Sequence, residues 1–316
     1  MSLYEKRETR RASFEVRLPA STSNLGAGFD CFGLALQQYL TIRATLKPGA
    51  QAKCRVRTIG TKESSDLPRT AENLIYRAMA FGAQLEGLRL PPVQLAVENQ
   101  IPLGLGLGSS AAAIAGGIKL TGLLCGRELS NEKVLEYATR FEGHPDNVAA
   151  SLYGGFVVTG LGHDGSVLAL RLRWPSALKI MIVSPNFRVE TKLARDVFPR
   201  VVNRADAVHN LQRSALFVAA LTEGRYELLW EAMQDRLHQE RRQTLVPGLV
   251  EVLALQPMPG LLGVALSGAG PSVVAVVTEN FEAISEAIAD CFGRRKVSTT
   301  SHQIEVDTRG CQVRNL

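Results

Sequence analysis

Cysteines are few, and their arrangement excludes two classes of protein. Cys31, Cys54, Cys125, Cys291 and Cys311 are odd in number and none share a CxxC spacing. A disulfide framework and a zinc knuckle are therefore not expected, and a reducing cytosol fits. Aromatic residues are scarce at 6% and no basic stretch is interleaved with them. A nucleic-acid surface would rest on net charge alone. No apolar run reaches the about 18 residues that a membrane helix needs, and the N-terminus has no apolar core of a signal peptide. The expected location is cytoplasmic. No Gly-Lys-Ser/Thr follows any glycine-rich stretch, so there is no Walker A loop. The one prominent glycine loop is spaced GxGxG rather than GxGxxG, so it is not a dinucleotide fingerprint either. No internal repeat or low-complexity segment is found.

What the sequence does contain is 316 residues, 46% apolar and 21% charged, which suggests about two globular domains. The net charge of +6 is concentrated near the N-terminus, where Lys6, Arg7, Arg10 and Arg11 lie in a polar segment. Residues 1–13 read as a solvated tail. A mildly positive protein also suits an anionic small substrate such as a nucleotide. Alternation predicts strands over 14–18, 40–46 and 93–97, with a turn-rich stretch over 19–28. Helices are expected over 73–84, 109–124 and 130–141, the last capped by Ser130. Residues 154–159 and 168–172 read as paired strands. Trp174-Pro175 marks a boundary between units 14–174 and 175–316. Beyond it, strands are expected over 179–183, 263–266 and 273–278. Helices are expected over 207–221, 226–239, 250–255 and 281–291. The irregular alternation favours an α+β fold over a doubly wound parallel sheet.

The strongest local feature is the run Pro102, Leu103, Gly104, Leu105, Gly106, Leu107, Gly108, Ser109, Ser110, Ala111, Ala112. Three alternate glycines let the backbone fold closely around an anion. Ser109 and Ser110 then open a helix whose free N–H groups and dipole favour a phosphate. The small residues that follow allow tight packing on a sheet. The bland alternative is a flexible loop before a buried helix.

Three further segments accompany it: Pro19-Ala-Ser-Thr-Ser-Asn-Leu-Gly-Ala-Gly-Phe-Asp30, Glu142-Gly-His-Pro-Asp-Asn-Val-Ala-Ala150, and Leu266-Ser-Gly-Ala-Gly-Pro-Ser272. Each alone reads as a turn. In this order and spacing the four motifs resemble the GHMP kinase superfamily, and the first and second of these three resemble its homoserine kinases. The resemblance runs from about 14 to 278. It implies a two-domain GHMP kinase fold, with an N-terminal domain like domain 2 of ribosomal protein S5 and a ferredoxin-like C-terminal domain. ATP and substrate would sit in the cleft between them.

The resemblance also implies roles. The loop from Pro102 to Ala112 would hold the ATP phosphates, with Asn73 touching the adenine. Glu136 would bind Mg²⁺ together with Ser110. Asn24 and Asp30 would hold the ammonium group of L-homoserine. His144, Asp146, Asn147, Thr191, Arg195 and Arg242 would complete the substrate pocket. A zwitterionic amino acid needs an anion for its ammonium and a planar guanidinium for its carboxylate, so these residue types fit. Two departures stand out. Leu105 occupies a loop position often basic or polar in relatives. Glu240-Arg241 replaces a common Pro-Tyr, which leaves Arg241 and Arg242 both open as the second arginine. Some relatives use an Asp as base where this chain has Asn147. An amide is not basic, so Asn147 is expected to orient the hydroxyl rather than deprotonate it. The alternatives are a GHMP kinase for another hydroxy acid and a non-enzymatic kinase-fold sensor. A homodimer is compatible with the sequence, which does not fix oligomeric state.

Overall fold

The computed structural model describes residues 12–60, 67–199 and 201–316. The basic residues Lys6, Arg7, Arg10 and Arg11 of the expected tail lie outside them. The chain opens with β1 (Ser13–Asn24), β2 (Gly28–Leu46) and β3 (Cys54–Ile59). It continues through α1 (Leu74–Leu85), β4 (Val93–Asn99), α2 (Ser109–Leu124), α3 (Asn131–Glu142) and α4 (Asp146–Tyr153), then the hairpin of β5 (Phe156–Leu161) and β6 (Val167–Leu172). The second part comprises β7 (Lys179–Pro185), α5 (Thr191–Asp196), α6 (Arg204–Glu223), α7 (Leu229–Ala232), α8 (Gln239–Arg242), α9 (Leu249–Leu253), β8 (Leu261–Leu266), β9 (Val273–Val277), α10 (Phe281–Gly293), β10 (Thr299–Ile304) and β11 (Gln312–Asn315).

Two sheets result. The first runs β11-β1-β2-β4-β3, with β5 on β2 and β6 beyond it; the second runs β10-β7-β9-β8. Among the pairs of named strands, only β3 with β4 is parallel. The expected boundary at Trp174-Pro175 falls between β6 and β7. The expected second unit, 175–316, does not keep its whole chain to itself, because β11 adds to the free side of β1 in the first sheet, pairing Phe14 with Asn315.

The two sheets share a core through β9. Its residues alternate as a strand must: Val274 and Val276 face the larger core with Phe217 and Leu229, while Val273, Ala275 and Val277 face a second core with Ile284 and Ile288. Helix α2 forms over the predicted residues and packs closely because its surface is small. A Cβ on Gly116 would lie 2.7 Å from Ile42 Cδ1, and one on Gly117 would lie 2.4 Å from the Ile75 carbonyl oxygen. The middle of α2 is thus held against the first sheet and α1.

Several sequence expectations are corrected. The stretch 19–28 is mostly strand, because β1 resumes pairing with β2 after a shift between Pro19 and Ala20, and the chain turns only at 24–28. The segment 142–150, read as a turn, runs into helix α4 (Asp146–Tyr153), nearly all of it buried. The expected single helix over 226–239 is broken. Asp235 accepts the backbone N–H groups of Leu237, His238 and Gln239, a side-chain alternative to the helical ladder. That turn ends the helical stretch after α7 and starts α8. Strands β3, β10 and β11 have no counterpart in the sequence reading.

Candidate active site

A cleft of about 760 Å³ lies where the two parts meet. Its floor is the glycine loop. Gly104, Gly106 and Gly108 all take left-handed φ values, 69°, 74° and 71°, which glycine alone adopts freely. Two of them also have no room for a side chain. A Cβ on Gly106 would lie 2.2 Å from the Ser267 carbonyl oxygen, and one on Gly108 would lie 2.1 Å from Ser21 Oγ. The loop's carbonyls are held from behind: Ser267 Oγ donates to Gly106 O at 2.7 Å, and the Ser21 N–H to Leu107 O at 3.1 Å. Helix α2 begins at Gly108 with no side-chain cap. The first N–H groups of a helix lack internal partners, so this end suits a phosphate.

Asn73 lines the cleft but is itself a helix cap: its Oδ1 accepts the Ile75 N–H at 3.0 Å and its Nδ2 donates to Pro68 O at 2.8 Å. Ser110 opens onto the cleft. Leu105, Ala112 and Glu136 are not among the residues that line it. Glu136 lies on α3 and is paired with Arg140 one turn on, at 2.6 Å, with its side chain 36% exposed. The structure therefore brings Ser110 to the cleft and leaves Glu136 held by a surface ion pair.

The polar end of the cleft is built from both parts of the chain. Asn24, at the end of β1, and Asp30, near the start of β2, take φ 71° and 54°, backbone positions that Asn and Asp tolerate better than most residues. Asn24 Oδ1 accepts the Asp30 N–H at 3.1 Å and Asn24 Nδ2 donates to Gly268 O at 3.1 Å. Arg195, from α5, reaches Asp30 with two hydrogen bonds, Nη2 to Oδ1 at 2.7 Å and Nη1 to Oδ2 at 3.2 Å. Burial draws the Arg195 pKa down, but the Asp30 carboxylate outweighs it and the net shift is upward. Thr191 opens the same short helix and lines the cleft.

Arg242 is 2% exposed, whereas Arg241 is exposed, so α8 turns Arg242 inward and its neighbour out. Arg242 Nη1 donates to Gly268 O at 2.7 Å and Nε to Ala194 O at 3.2 Å. Its guanidinium lies over the Phe198 and Phe29 rings, 4.8 and 5.8 Å from their centroids. Burial pulls its pKa down to about 10, still charged at neutral pH. His238 completes the mount. Its Nε2 faces the Gly26 carbonyl at 2.8 Å, which requires the proton there and leaves Nδ1 to accept from Arg242 Nη1 at 3.2 Å. Burial lowers the His238 pKa, which keeps the ring neutral, as this arrangement needs.

The segment 142–147 supplies the third wall. His144 Nδ1 and Asp146 Oδ1 are 2.8 Å apart. The same oxygen accepts the Asn147 N–H at 2.7 Å and Asn147 Nδ2 at 3.2 Å. Burial pushes Asp146 up, but these donors overcome it and its pKa falls. Burial likewise pushes His144 down, and Asp146 more than reverses it. Asn147 also donates to Ser23 Oγ at 2.8 Å and accepts from Ser21 Oγ at 2.9 Å. Both of its N–H donors are engaged, and its free capacity is one lone pair on Oδ1. Glu142 lines the cleft, and burial raises its carboxyl pKa to about 7.

Sequence reasoning assigned nothing to Ser21, Ser23, Glu142 or His238. The serines alternate along a strand next to Asn24, a signal that one face of β1 is polar. Glu142 opens the segment 142–150. His238 offered no signal, since the break before α8 was not foreseen.

Matches to known proteins agree with this geometry. The family model described as GHMP kinases N terminal domain matches residues 73–155, and that described as GHMP kinases C terminal matches 217–294. The homoserine kinase of Deinococcus radiodurans is 47% identical over 261 residues, 83% of each chain. That of Aquifex aeolicus is 42% identical over 276 residues, 87% of this chain and 91% of that one. Among solved structures, a homoserine kinase from Cytophaga hutchinsonii superposes with a TM-score of 0.80 at 29% identity, covering 96% of this chain and 97% of the other. With an uncapped helix N-terminus over a glycine loop on one side of the cleft and opposed charges on the other, the chain belongs to the homoserine kinase family of the GHMP kinases.

Proposed function

We propose that this protein transfers the γ-phosphoryl group of ATP to the side-chain hydroxyl of L-homoserine, giving O-phospho-L-homoserine for threonine biosynthesis. One observation carries the reading. A loop suited to phosphate shares a cleft with two inward guanidinium groups and an acidic cluster, the complement of a zwitterion. In the transfer the hydroxyl oxygen bonds to phosphorus, the bond to the ADP oxygen breaks, and the hydroxyl proton passes late to an oxygen of the transferred phosphoryl group. Such transfers depend mainly on alignment and charge neutralisation. The helix α2 N-terminus and the loop from Pro102 to Ala112 hold the phosphates. Arg195 and Arg242 hold the substrate carboxylate, with Asn24 and Asp30 at the ammonium end and Thr191 beside them. The Arg195 Nε is shielded and has no hydrogen-bond partner among the described residues, so the fork offers a donor beyond those given to Asp30.

Asn147 offers its free Oδ1 lone pair to the hydroxyl and takes no proton; His144 and Asp146 fix that amide in place. Mg²⁺ suits the oxygen donors Ser110 and Glu136. Glu136 does not line the cleft and would have to give up its pair with Arg140, a surface contact worth at most about 1 kcal/mol, to serve there. Bound there, the ion would neutralise charge developing on the phosphates.

We place the activity in the cytoplasm, in keeping with ATP as co-substrate and five free cysteines. No helix among the described residues is long and apolar enough to cross a membrane. A homodimer belongs to the same reading; strand β6 presents Leu168 and Leu170 to solvent, 57% and 63% exposed, and sedimentation tests it. The decisive experiment is an ATP-consumption screen over homoserine, mevalonate, shikimate and galactose. Turnover with homoserine alone is expected, and turnover only with a substrate lacking an amine would overturn the assignment.

A further inference from the structure

The glycine loop has no cation of its own. From Pro102 to Ala112 every residue is uncharged. A triphosphate carries several negative charges, and backbone N–H groups at a helix end offer only partial positive ones. Among the described residues, the arginines that line the cleft are Arg77, Arg188, Arg195 and Arg242, and no lysine lines it. Arg195 is paired with Asp30, and Arg242 is buried against the Ala194 and Gly268 carbonyls, so both serve the polar end. Arg77 lies on α1 one turn after Asn73, its guanidinium 5.9 Å from the Phe141 ring centroid. Arg188 is placed differently from these three.

Arg188 stands in the link between β7 and α5. A Cβ built on Gly104 would lie 3.1, 3.3 and 3.4 Å from its Cβ, Cγ and Cδ. Three successive atoms of the side chain therefore run alongside the first glycine of the loop. The next residue secures the contact: Val189 is buried and donates its N–H to the Gly104 carbonyl at 3.1 Å. Arg188 itself is exposed and lines the cleft, with its stem laid on the loop as long basic side chains do on apolar surface. The uncapped start of α2 and a guanidinium both attract anions. A phosphate chain lying along the loop satisfies both.

We infer that Arg188 binds the phosphate chain of ATP, supplying from the second part of the chain the cation that the loop lacks. The inference deepens the proposed homoserine kinase activity and rests on it for the identity of the nucleotide. A guanidinium offers paired N–H groups to phosphate oxygens. Charge on the oxygens of the transferring phosphoryl group is what such a cation stabilises. Arg188, Thr191 and Arg195 then lie on one short stretch, which serves the nucleotide with its first residue and the amino acid with the other two.

The test is nucleotide binding and steady-state kinetics of the full chain, wild type and variants. Arg188→Ala should weaken binding of ATP and of ADP, measured by titration calorimetry, at least about tenfold, the scale of a lost charge-assisted hydrogen bond. Adenosine has no phosphate, so its inhibition constant against ATP should stay within about twofold. The variant's kcat/KM for ATP should fall at least about tenfold, with KM for homoserine within about twofold. Arg188→Lys keeps the charge and should recover most of the loss, since a lysine still binds phosphate as a point charge. Equal weakening of ATP and adenosine would show that Arg188 only shapes the loop, and unchanged ATP affinity would remove it from the site. Either result overturns the inference and leaves homoserine turnover by the wild type standing. A wild type that binds ATP but does not phosphorylate homoserine would overturn the activity, and the comparison of ATP with adenosine would still decide the role of Arg188.

Discussion

Arg195 and Asp30, 165 residues apart in sequence, hold each other by two hydrogen bonds of 2.7 and 3.2 Å, each side chain 32% exposed. The pair ties helix α5 of the second part to the start of β2 in the first. Its geometry uses the planar fork, which lysine lacks. Arg195→Lys should therefore raise KM for homoserine by roughly tenfold or more while leaving KM for ATP nearly unchanged. Initial rates at varied homoserine decide it, and an unchanged homoserine KM would remove Arg195 from the substrate pocket.

Arg242 and Arg241 should behave oppositely. Arg242→Ala leaves the Ala194 carbonyl and His238 Nδ1 without this donor and the Gly268 carbonyl with Asn24 Nδ2 alone, at about 1–3 kcal/mol for each buried group left unpaired. A loss of at least about 2 kcal/mol in stability by denaturant unfolding is expected, with a large loss of activity. Arg241→Ala points at solvent and should change stability by less than about 0.5 kcal/mol.

Glu142 should make stability fall as pH rises. A glutamate in an unfolded chain loses its proton at about 4.5, whereas burial raises the folded Glu142 carboxyl to about 7. Between these values the folded state holds the extra proton, so stability declines with increasing pH across that window and levels off above it. The decline attributable to this group is at most about 3.5 kcal/mol, from about 1.4 kcal/mol per unit. Melting temperatures of the wild type and Glu142→Gln should converge near pH 4.5 and separate towards pH 8, with the variant the more stable.

Asn147 is held by Ser21, Ser23 and Asp146. Asn147→Ala should lower kcat by on the order of a hundredfold through misplacement of the hydroxyl. Asn147→Asp removes both N–H donors and brings a second negative charge against Asp146. It should also be slower than wild type. An Asp variant faster than wild type would show that proton abstraction limits the reaction.

Glu136→Ala should lower turnover by orders of magnitude at fixed Mg²⁺ and shift the concentration for half-maximal rate upward, since metal stabilisation is worth several kcal/mol. Arg140→Ala frees the same carboxylate and should shift it downward or not at all. Activity of Glu136→Ala within a few-fold of wild type would refute the assignment.

Legibility from sequence followed locality. Helix α2 was readable because a run of small residues after three glycines leaves few alternatives, and α3 because Ser130 caps it through the Lys133 N–H. Helix α4 was not, since seven consecutive buried residues show no amphipathic period. The break before α8 depends on one side chain, Asp235, satisfying three backbone donors, which no periodicity reveals. Arg242 was separable from Arg241 only once α8 fixed which of two adjacent residues faces inward. The motifs carried most of the cleft, while Glu142 became distinct only when its neighbours' hydrogen bonds could be counted.

Strand β11 lies beside β1, so the first and last strands of the described chain complete one sheet. During synthesis the outer side of β1 stays unpaired until residues 312–315 have left the ribosome. The parts cannot mature as two independent beads on a string; the nascent first sheet waits for its closing strand, and a shortened chain lacking 312–315 would expose the edge that β11 covers, with its tendency to pair with other molecules.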